Sequence, residues 1–258
     1  MNGPPSKDPW AALRAATPAR IGLGRAGTAL PTQVNLDFQF AHARARDAVH
    51  QSVDFETLSA ALSPRPTLLV ESAAPDRASY LRRPDLGRRL GPGQADRLTS
   101  EPKGGVVFIV ADGLSADAVQ AHTAPVLQAC APLMPDGGPD TIVLVRQGRV
   151  AIGDEIGGLL GARLVIMLIG ERPGLTVADS LGAYLTFDPR PGRRDSERNC
   201  VSNIHGSGGL SHDQAAAKIA WLAGEALRIG LTGTGLKDDV PGLAGPQDGA
   251  AIEGPSGP

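Results

Sequence analysis

Three mainly apolar runs in the second half of the chain constrain its fold more than any other feature. They are Val106–Val110, Thr141–Val145 and Arg163–Ile169, and a shorter strand candidate follows at Ala183–Phe187. Helical patterns alternate with these runs, and strands that are apolar throughout are typical of parallel sheets covered on both faces. The sequence therefore predicts an α/β fold with a Rossmann-like, doubly wound and mostly parallel sheet.

Helical periodicity supplies the elements between and after these strands. Asp117–Cys130 and Asp154–Leu160 have helical patterns. Asp213–Ile229 is predicted to be an amphipathic helix, and Ser211 with Gln214 forms a capping box at its start.

Composition divides the chain into three predicted parts. Residues 1–100 form an N-terminal arm and helical segment, in which Pro and Gly punctuate the chain up to Pro31 and a helix covers Gln33–Val49. Residues 101–231 form the Rossmann-like domain. Residues 232–258, rich in Gly and Pro, form a flexible tail with almost nothing to bury.

Charge and cysteine content exclude several classes of protein. Lys plus Arg number 25 against 27 Asp plus Glu, a net charge of -2, so no overall field attracts nucleic acid. The longest apolar run, Leu164–Ile169, is far below the roughly 20 residues of a membrane helix. Cys130 and Cys200 are too few for a disulfide framework. We therefore expect a cytoplasmic protein without nucleic-acid or membrane partners.

Gly22-Leu-Gly24-Arg-Ala-Gly27 has the spacing of a dinucleotide-binding motif, but we do not expect it to bind a dinucleotide. The motif works where a strand leads into a helix that meets the pyrophosphate. Pro18 and Pro31 flank it here and leave room for neither element. We interpret the motif as a structural turn.

Three polar clusters are candidate ligand sites. Asp112 and Gly113 follow a predicted strand, where ligands of open α/β sheets bind, although an N-cap and turn would explain them equally well. Gly170–Gly174 combines Glu and Arg in a stiff loop that suits a ligand, an interface or an internal salt bridge. Asn199–Gly209 leads into the capped helix, whose start favours an anion.

Cys200 and His205 allow two further interpretations. Together they resemble a thiol nucleophile and its base, but no oxyanion motif accompanies them. Asn203-x-His205-x-x-Gly208 also differs by one residue from the Asp-x-His-x-x-Gly motif that ligates cobalt in some cobalamin proteins. A carboxylate normally orients a metal-bound imidazole, and Asn203 stands in its place. We predict no metal site.

Six motifs in register resemble the small-subunit family of ethanolamine ammonia-lyase over about Asp8–Leu231. They are Thr17–Gly27, Asp37–His50, Ala111–Ser115, Gly148–Glu155, Gly170–Gly174 and Cys200–His205. The resemblance implies an adenosylcobalamin enzyme of large and small chains that converts ethanolamine to acetaldehyde and ammonia. In such an enzyme the large chain carries a barrel with the substrate site, the small chain covers the cofactor, and the cofactor supplies the radical chemistry.

The resemblance also implies which residues of this chain bind the cofactor. The family's cobalamin positions fall on Val150, Glu171 and Cys200. Val150 would offer backbone and apolar contact to the corrin, Glu171 would accept hydrogen bonds from its amide side chains, and Cys200 would pack near the nucleotide loop. Family members keep the cofactor's own base on cobalt, so His205 is not expected to be a ligand, and no catalytic residue is expected on this chain.

The expected partner is the large subunit, which residues 1–100 would contact. The family is associated with bacterial microcompartments, so the cytoplasmic expectation extends to encapsulation. Two other functions stay open from the sequence. One is a stand-alone nucleotide-binding α/β enzyme in which Asp112, Cys200 and His205 are catalytic, and the other is a non-catalytic scaffold for compartment cargo.

Overall fold

The computed structural model describes residues 8–17, 19–25, 27–98, 104–134 and 141–239. The helices are α1 (Ala11–Ala16), α2 (Thr32–His50), α3 (Phe55–Ala61), α4 (Arg77–Arg82), α5 (Gln94–Leu98), α6 (Ala116–Cys130), α7 (Ile152–Leu159) and α8 (His212–Ile229). The strands are β1 (Thr67–Glu71), β2 (Val106–Ala111), β3 (Ile142–Arg146), β4 (Leu164–Gly170), β5 (Leu181–Phe187) and β6 (Asn199–Ile204). Short 3₁₀ turns lie at Leu86–Arg88, Ala131–Leu133 and Asp195–Glu197.

The described strands form one six-stranded mixed sheet in the order β1-β3-β2-β4-β5-β6. The first four strands in that order are parallel, while β5 and β6 are antiparallel to their neighbours. The predicted α/β class is confirmed.

The connections explain why the sheet is only partly parallel. Helices α6 and α7 lie in the links that lead from β2 to β3 and from β3 to β4, and these strands are parallel. The link between β4 and β5, residues 171–180, contains no helix. A parallel crossover needs a dozen or more residues, so β5 returns antiparallel beside β4.

Two apolar clusters cover the two faces of the sheet. Along β2, Phe108 and Val110 belong to one cluster, while Val107 and Ile109 belong to the other. Helices α6 and α8 contribute to the first cluster and α7 to the second. Burial on both faces accounts for the unbroken apolar runs in the sequence.

The ends of the two long helices on the first face follow local capping rules. The Ser115 hydroxyl accepts a hydrogen bond from Ala118 N at 3.2 Å and caps α6. The capping box predicted before α8 is present, with Ser211 and Gln214 bonded reciprocally at 3.0 and 3.2 Å. Gly230 ends α8 in the left-handed region, at φ 73°.

The glycine motif near the N-terminus lies between α1 and α2 and follows no strand among the described residues. Residue 26 within it and Pro18 before it lie outside the described part of the chain. Gly22 is packed against the Trp10 side chain, because a Cβ on Gly22 would lie 2.2 Å from the indole. This packing agrees with a structural turn.

The first residues of the predicted tail pack on the sheet domain. Leu236 is buried, and its carbonyl accepts a hydrogen bond from Asn199 Nδ2 at 2.8 Å. Gly233 N donates to Asn199 Oδ1 at 2.8 Å. Residues 240–258 of the predicted tail lie outside the described residues.

Arg198 and Asp154 form a buried ion pair that joins the segment before β6 to α7. Their side chains are 2% and 3% exposed, and two hydrogen bonds of 2.6 and 2.7 Å connect them. The guanidinium also donates to Thr186 Oγ1 of β5 at 2.8 Å. The pair therefore ties three elements of the domain together.

We expect Asp154→Asn to lower the free energy of unfolding by about 3–5 kcal/mol, because it leaves the buried Arg198 charge without its partner. The matched control is Asp195→Asn, since Asp195 lies 3.6 Å from the same guanidinium but is 91% exposed. We expect the control to cost less than about 1 kcal/mol. Urea unfolding measures both values, and equal losses in the two variants would contradict the assignment.

Candidate functional site

Asp112 connects the carboxyl ends of β2 and β3. Its side chain is 2% exposed, and its carboxylate accepts hydrogen bonds from Gln147 N at 2.9 Å and Gly148 N at 3.1 Å. Arg77 Nη1 lies 3.8 Å away. Burial raises the pKa of Asp112, while the two backbone donors and Arg77 act in the opposite direction. Asp112 therefore holds the loop after β3 in place.

Tyr80 and a backbone contact hold the same loop from its other side. The Tyr80 hydroxyl donates to Gly148 O at 2.9 Å, and Arg149 N donates to Gly87 O at 2.8 Å. Tyr80 is fully buried, and burial raises the pKa of its phenol. These bonds fix the backbone immediately before Val150.

The loops after β2 and β4 are packed against each other through glycine. Leu114 N donates to Gly170 O at 2.8 Å. Gly113 has φ 58°, and a Cβ on it would lie 2.2 Å from that same carbonyl. Only glycine fits this close approach without a shift. The Asp112-Gly113 segment therefore serves loop packing, and the cap of α6 is Ser115.

Glu171 begins the loop that follows β4, and its carboxylate is held on one side. The Ser180 hydroxyl donates to Glu171 Oε2 at 2.6 Å, and Asn203 N donates to the same oxygen at 3.3 Å. Glu171 N also donates to Ser180 O at 2.9 Å. Oε1 receives none of these bonds, so it is the oxygen that can accept a hydrogen bond from a ligand.

Cys200 lies on β6 directly opposite Tyr184 of β5. Cys200 as a whole is exposed at the protein surface. Burial of the thiol by its surroundings nevertheless raises the pKa of Cys200, and the nearby Glu171 carboxylate adds to the rise. Burial raises the pKa of the Tyr184 phenol as well. Both groups are therefore neutral near pH 7.

Val150, Glu171 and Cys200, the three predicted cofactor positions, line one groove, which we call the strand-end groove. One hollow of about 360 Å³ contains Val150 and Cys200, and a second of about 280 Å³ contains Val150 and Glu171. Tyr184 lines both hollows, so they adjoin. A third hollow of about 660 Å³, between α2 and the loop after β4, shares Arg149 with the other two.

His205 takes no part in this groove. Its ring is buried, and Nδ1 accepts a hydrogen bond from Ser207 N at 3.1 Å. No hydrogen bond or ion pair joins His205, Cys200 and Asp112 to one another in the described part of the chain. The three residues of the stand-alone enzyme hypothesis thus do not form a connected catalytic group.

Sequence reasoning missed three residues that shape the groove. Tyr184 lies on a strand that the sequence pattern did predict, and Arg149 directly precedes Val150 in the same motif. Both residues could therefore have been identified from the sequence as candidates. Tyr80 lies in a segment rich in Arg, Pro and Gly that was interpreted as loops and short elements. Nothing in the local sequence marks it as buried.

Comparison with known proteins identifies the family. A family model described as "Ethanolamine ammonia-lyase light chain (EutC)" matches residues 7–237. The chain belongs to the ethanolamine ammonia-lyase light-chain family. The resemblance found in the sequence motifs is therefore confirmed.

Curated relatives agree with this assignment. A protein named ethanolamine ammonia-lyase small subunit from Pseudomonas fluorescens is 53% identical over 251 residues, covering 93% of this chain and 91% of its own length. Small subunits from Xanthomonas campestris pv. campestris and Azotobacter vinelandii are also 53% identical, over 92% of this chain and 90% and 91% of their own lengths.

Neither a metal-binding cluster nor a membrane-spanning helix is found among the described residues. No cluster of three or more His, Cys, Asp or Glu side chains in the described ranges could hold a metal ion. None of the helices built from those residues is long and apolar enough to cross a membrane.

We expect Cys200 to react with iodoacetamide in the folded chain and Cys130 to stay unmodified. Cys130 is buried, which raises the pKa of its thiol to about 12. Cys200 is exposed with a raised pKa, and only the thiolate reacts, so its rate should still be climbing between pH 8 and pH 9. Mass spectrometry of the labelled peptides measures both rates, and Cys200→Ser is the control. A Cys200 rate that levels off below pH 8 would contradict the raised pKa.

Proposed function

We propose that this chain is the small subunit of an adenosylcobalamin-dependent ethanolamine ammonia-lyase. The reaction converts ethanolamine to acetaldehyde and ammonia by radical 1,2-migration of the amino group. The observation that carries the proposal is that Val150, Glu171 and Cys200, far apart in sequence, line one groove. Membership in the light-chain family supports the reaction and the two-chain assembly.

The chemistry of the groove fits a corrinoid. A corrin ring carries amide side chains that donate hydrogen bonds, and Glu171 Oε1 is an acceptor left over by Ser180 and Asn203. Val150 gives apolar surface beside the ring, and Cys200, neutral at pH 7, adds soft apolar contact at the other hollow. A corrinoid is much larger than either hollow, so this chain would cover only one side of it.

When bound, adenosylcobalamin supplies radical chemistry by homolysis of its cobalt–carbon bond. This chain's residues would bind and orient the cofactor and keep water away from it. Val150 and Tyr184 would form the apolar part of the wall, and Glu171 would fix the position of the corrin's amides. The substrate site would be in the large subunit, and no catalytic residue is assigned to this chain.

The domain organisation follows from this function. We propose that residues 101–231 form a Rossmann-like unit that covers the cobalamin, and that residues 1–100 dock on the large subunit. Within residues 101–231, the parallel strands β3-β2-β4 with helices on both faces support the Rossmann-like assignment. Strand β1, from residues 1–100, pairs with β3 and so connects the two parts. Residues 232–258 form the tail.

The N-terminal region offers an apolar surface for the large subunit. The large apolar side chains exposed in this region are those of Trp10, Leu13, Leu30, Leu36, Phe38 and Phe40. Exposed apolar patches of this kind mark sites of protein contact.

We place the assembled enzyme in the cytoplasm, and the family's association with bacterial microcompartments extends the proposal to an encapsulated enzyme. Neither nucleic acid nor a membrane is a proposed partner.

Co-expression with the large subunit tests the function directly. We expect the two chains to copurify and to release ammonia from ethanolamine only with adenosylcobalamin present. Activity of the isolated chain on another substrate would favour a stand-alone enzyme. Stable assembly that binds no corrinoid would favour a scaffold. Either result would overturn the proposal.

Glu171→Ala should raise the dissociation constant of the two-chain complex for adenosylcobalamin by about tenfold or more, since a hydrogen bond to a charged group contributes about 1.5–3 kcal/mol. Equilibrium dialysis with absorbance detection of the corrinoid measures the constant. Glu225→Ala is the control, because the ion pair that Glu225 forms among the described residues is with Arg228 on α8, outside the groove. Equal affinities for the wild type and Glu171→Ala would contradict the role of Glu171.

Phe40→Ser should weaken copurification with the large subunit, because Phe40 is 66% exposed on α2 and its ring presents apolar contact surface. Leu133→Ser is the matched control, since Leu133 is 51% exposed and lies after α6. Deletion of residues 1–31 should have a larger effect than Phe40→Ser. Unchanged assembly of the deletion variant would show that the arm is not part of the interface.

A further inference from the structure

Among the described residues, Arg149 is the one side chain that lines all three hollows around the strand-end groove. No carboxylate of the described residues forms an ion pair with it. Its Nη2 donates a single long hydrogen bond, of 3.3 Å, to Tyr80 O, and its Nε is enclosed without a hydrogen-bond partner. A half-buried guanidinium with so few partners has donors left for a ligand.

The Arg149 side chain is held in position before any ligand arrives. Its guanidinium carbon lies 4.2 Å from the centre of the Tyr80 ring, a stacked arrangement that favours arginine over lysine. Tyr80 is itself buried and bonded to Gly148 O. Because the stacking limits the rotamers of Arg149, binding would cost little further conformational entropy.

Other unpaired arginines surround Arg149. Arg88 lines the hollow that contains Cys200, and Arg46 and Arg172 line the hollow beside α2. None of the three forms an ion pair with a described carboxylate. Arg198, the fifth arginine at these hollows, is already paired with Asp154.

The acidic residues at these hollows do not neutralise the arginines. Asp195 lies near Arg198, and the Glu171 carboxylate accepts hydrogen bonds from Ser180 and Asn203. In a chain whose formal net charge is -2, the surface around Arg149 is thus locally positive. Such a surface favours an anionic group.

We propose that Arg149, with Arg88 at the rim, binds the phosphodiester of the corrinoid's nucleotide loop. This inference rests on the proposed function, and it names a binding contact on this chain besides Val150, Glu171 and Cys200. Adenosylcobalamin carries one anionic group outside the corrin ring, the phosphodiester that links the ring to its nucleotide base. A guanidinium pairs with phosphate oxygens through charge-assisted hydrogen bonds. Arg149 and Arg88 line the same hollow as Cys200.

The test compares cofactor analogues on the two-chain complex. Adenosylcobinamide lacks the nucleotide loop and its phosphodiester, whereas adenosylcobinamide phosphate keeps a phosphate without the base. We expect Arg149→Gln to raise the dissociation constant for adenosylcobalamin by about tenfold or more. The constant for adenosylcobinamide phosphate should rise as well, and that for adenosylcobinamide should stay within about twofold of wild type. Equilibrium dialysis with absorbance detection gives all the constants.

Two variants control for charge and folding. Arg89→Gln removes the same charge from an exposed neighbour that lines none of the hollows, and it should bind all three corrinoids as the wild type does. Arg149→Lys keeps the charge and should recover part of the affinity for adenosylcobalamin. Wild-type affinity of Arg149→Gln for adenosylcobinamide would show that the groove is still folded.

The outcomes separate this inference from the proposed function. If the wild-type complex binds adenosylcobalamin, but Arg149→Gln weakens all three corrinoids equally or none of them, only the phosphodiester contact is overturned. Inorganic phosphate is the other anion to test. If it binds at Arg149 but Arg149→Gln leaves the dissociation constants of the three corrinoids unchanged, Arg149 is a free-phosphate site and the inference is also wrong. If the wild-type complex binds no corrinoid, both proposals fail.

Discussion

The buried Asp112 carboxylate is the constraint on which the strand-end groove depends. It bonds to Gln147 N and Gly148 N, where the chain leaves β3. Gln147 has φ 58°, a conformation that is strained for a residue other than glycine, and the bond to Asp112 compensates for this strain. The next residue is Gly148, and a larger residue would not fit there, because a Cβ would lie 2.9 Å from the Ala111 side chain. The strained backbone at Gln147 thus gives the loop after β3 the path that places Arg149 and Val150 at the groove.

The groove has a buried floor and an exposed, positively charged rim. Buried bonds set the floor, through Asp112, Tyr80 and the Arg198–Asp154 pair. Arg88 and Arg172 are exposed at the rim. A buried floor of this kind would fix the orientation of a bound ligand, and the exposed arginines would meet that ligand from the rim.

The sequence predicted the buried part of the fold well and its edges poorly. Strands β2, β3 and β4 are apolar on both faces, so their runs were recognised to within one residue at each end. Strand β6 is an edge strand that buries only Val201 and Ile204, and its polar residues were interpreted as a ligand loop. The antiparallel direction of β5 depends on the length of a connection rather than on composition. The site residues came from motif resemblance, whereas the packing of Tyr80 and Arg149 required tertiary structure.

In the proposed function, this chain forms one wall of a corrinoid site that the large subunit completes. A cryo-EM map of the two-chain complex with adenosylcobalamin tests it most directly. We expect corrinoid density at the subunit boundary, in contact with Val150, Glu171 and Cys200. Density enclosed entirely by the large subunit, with the strand-end groove facing solvent, would contradict it.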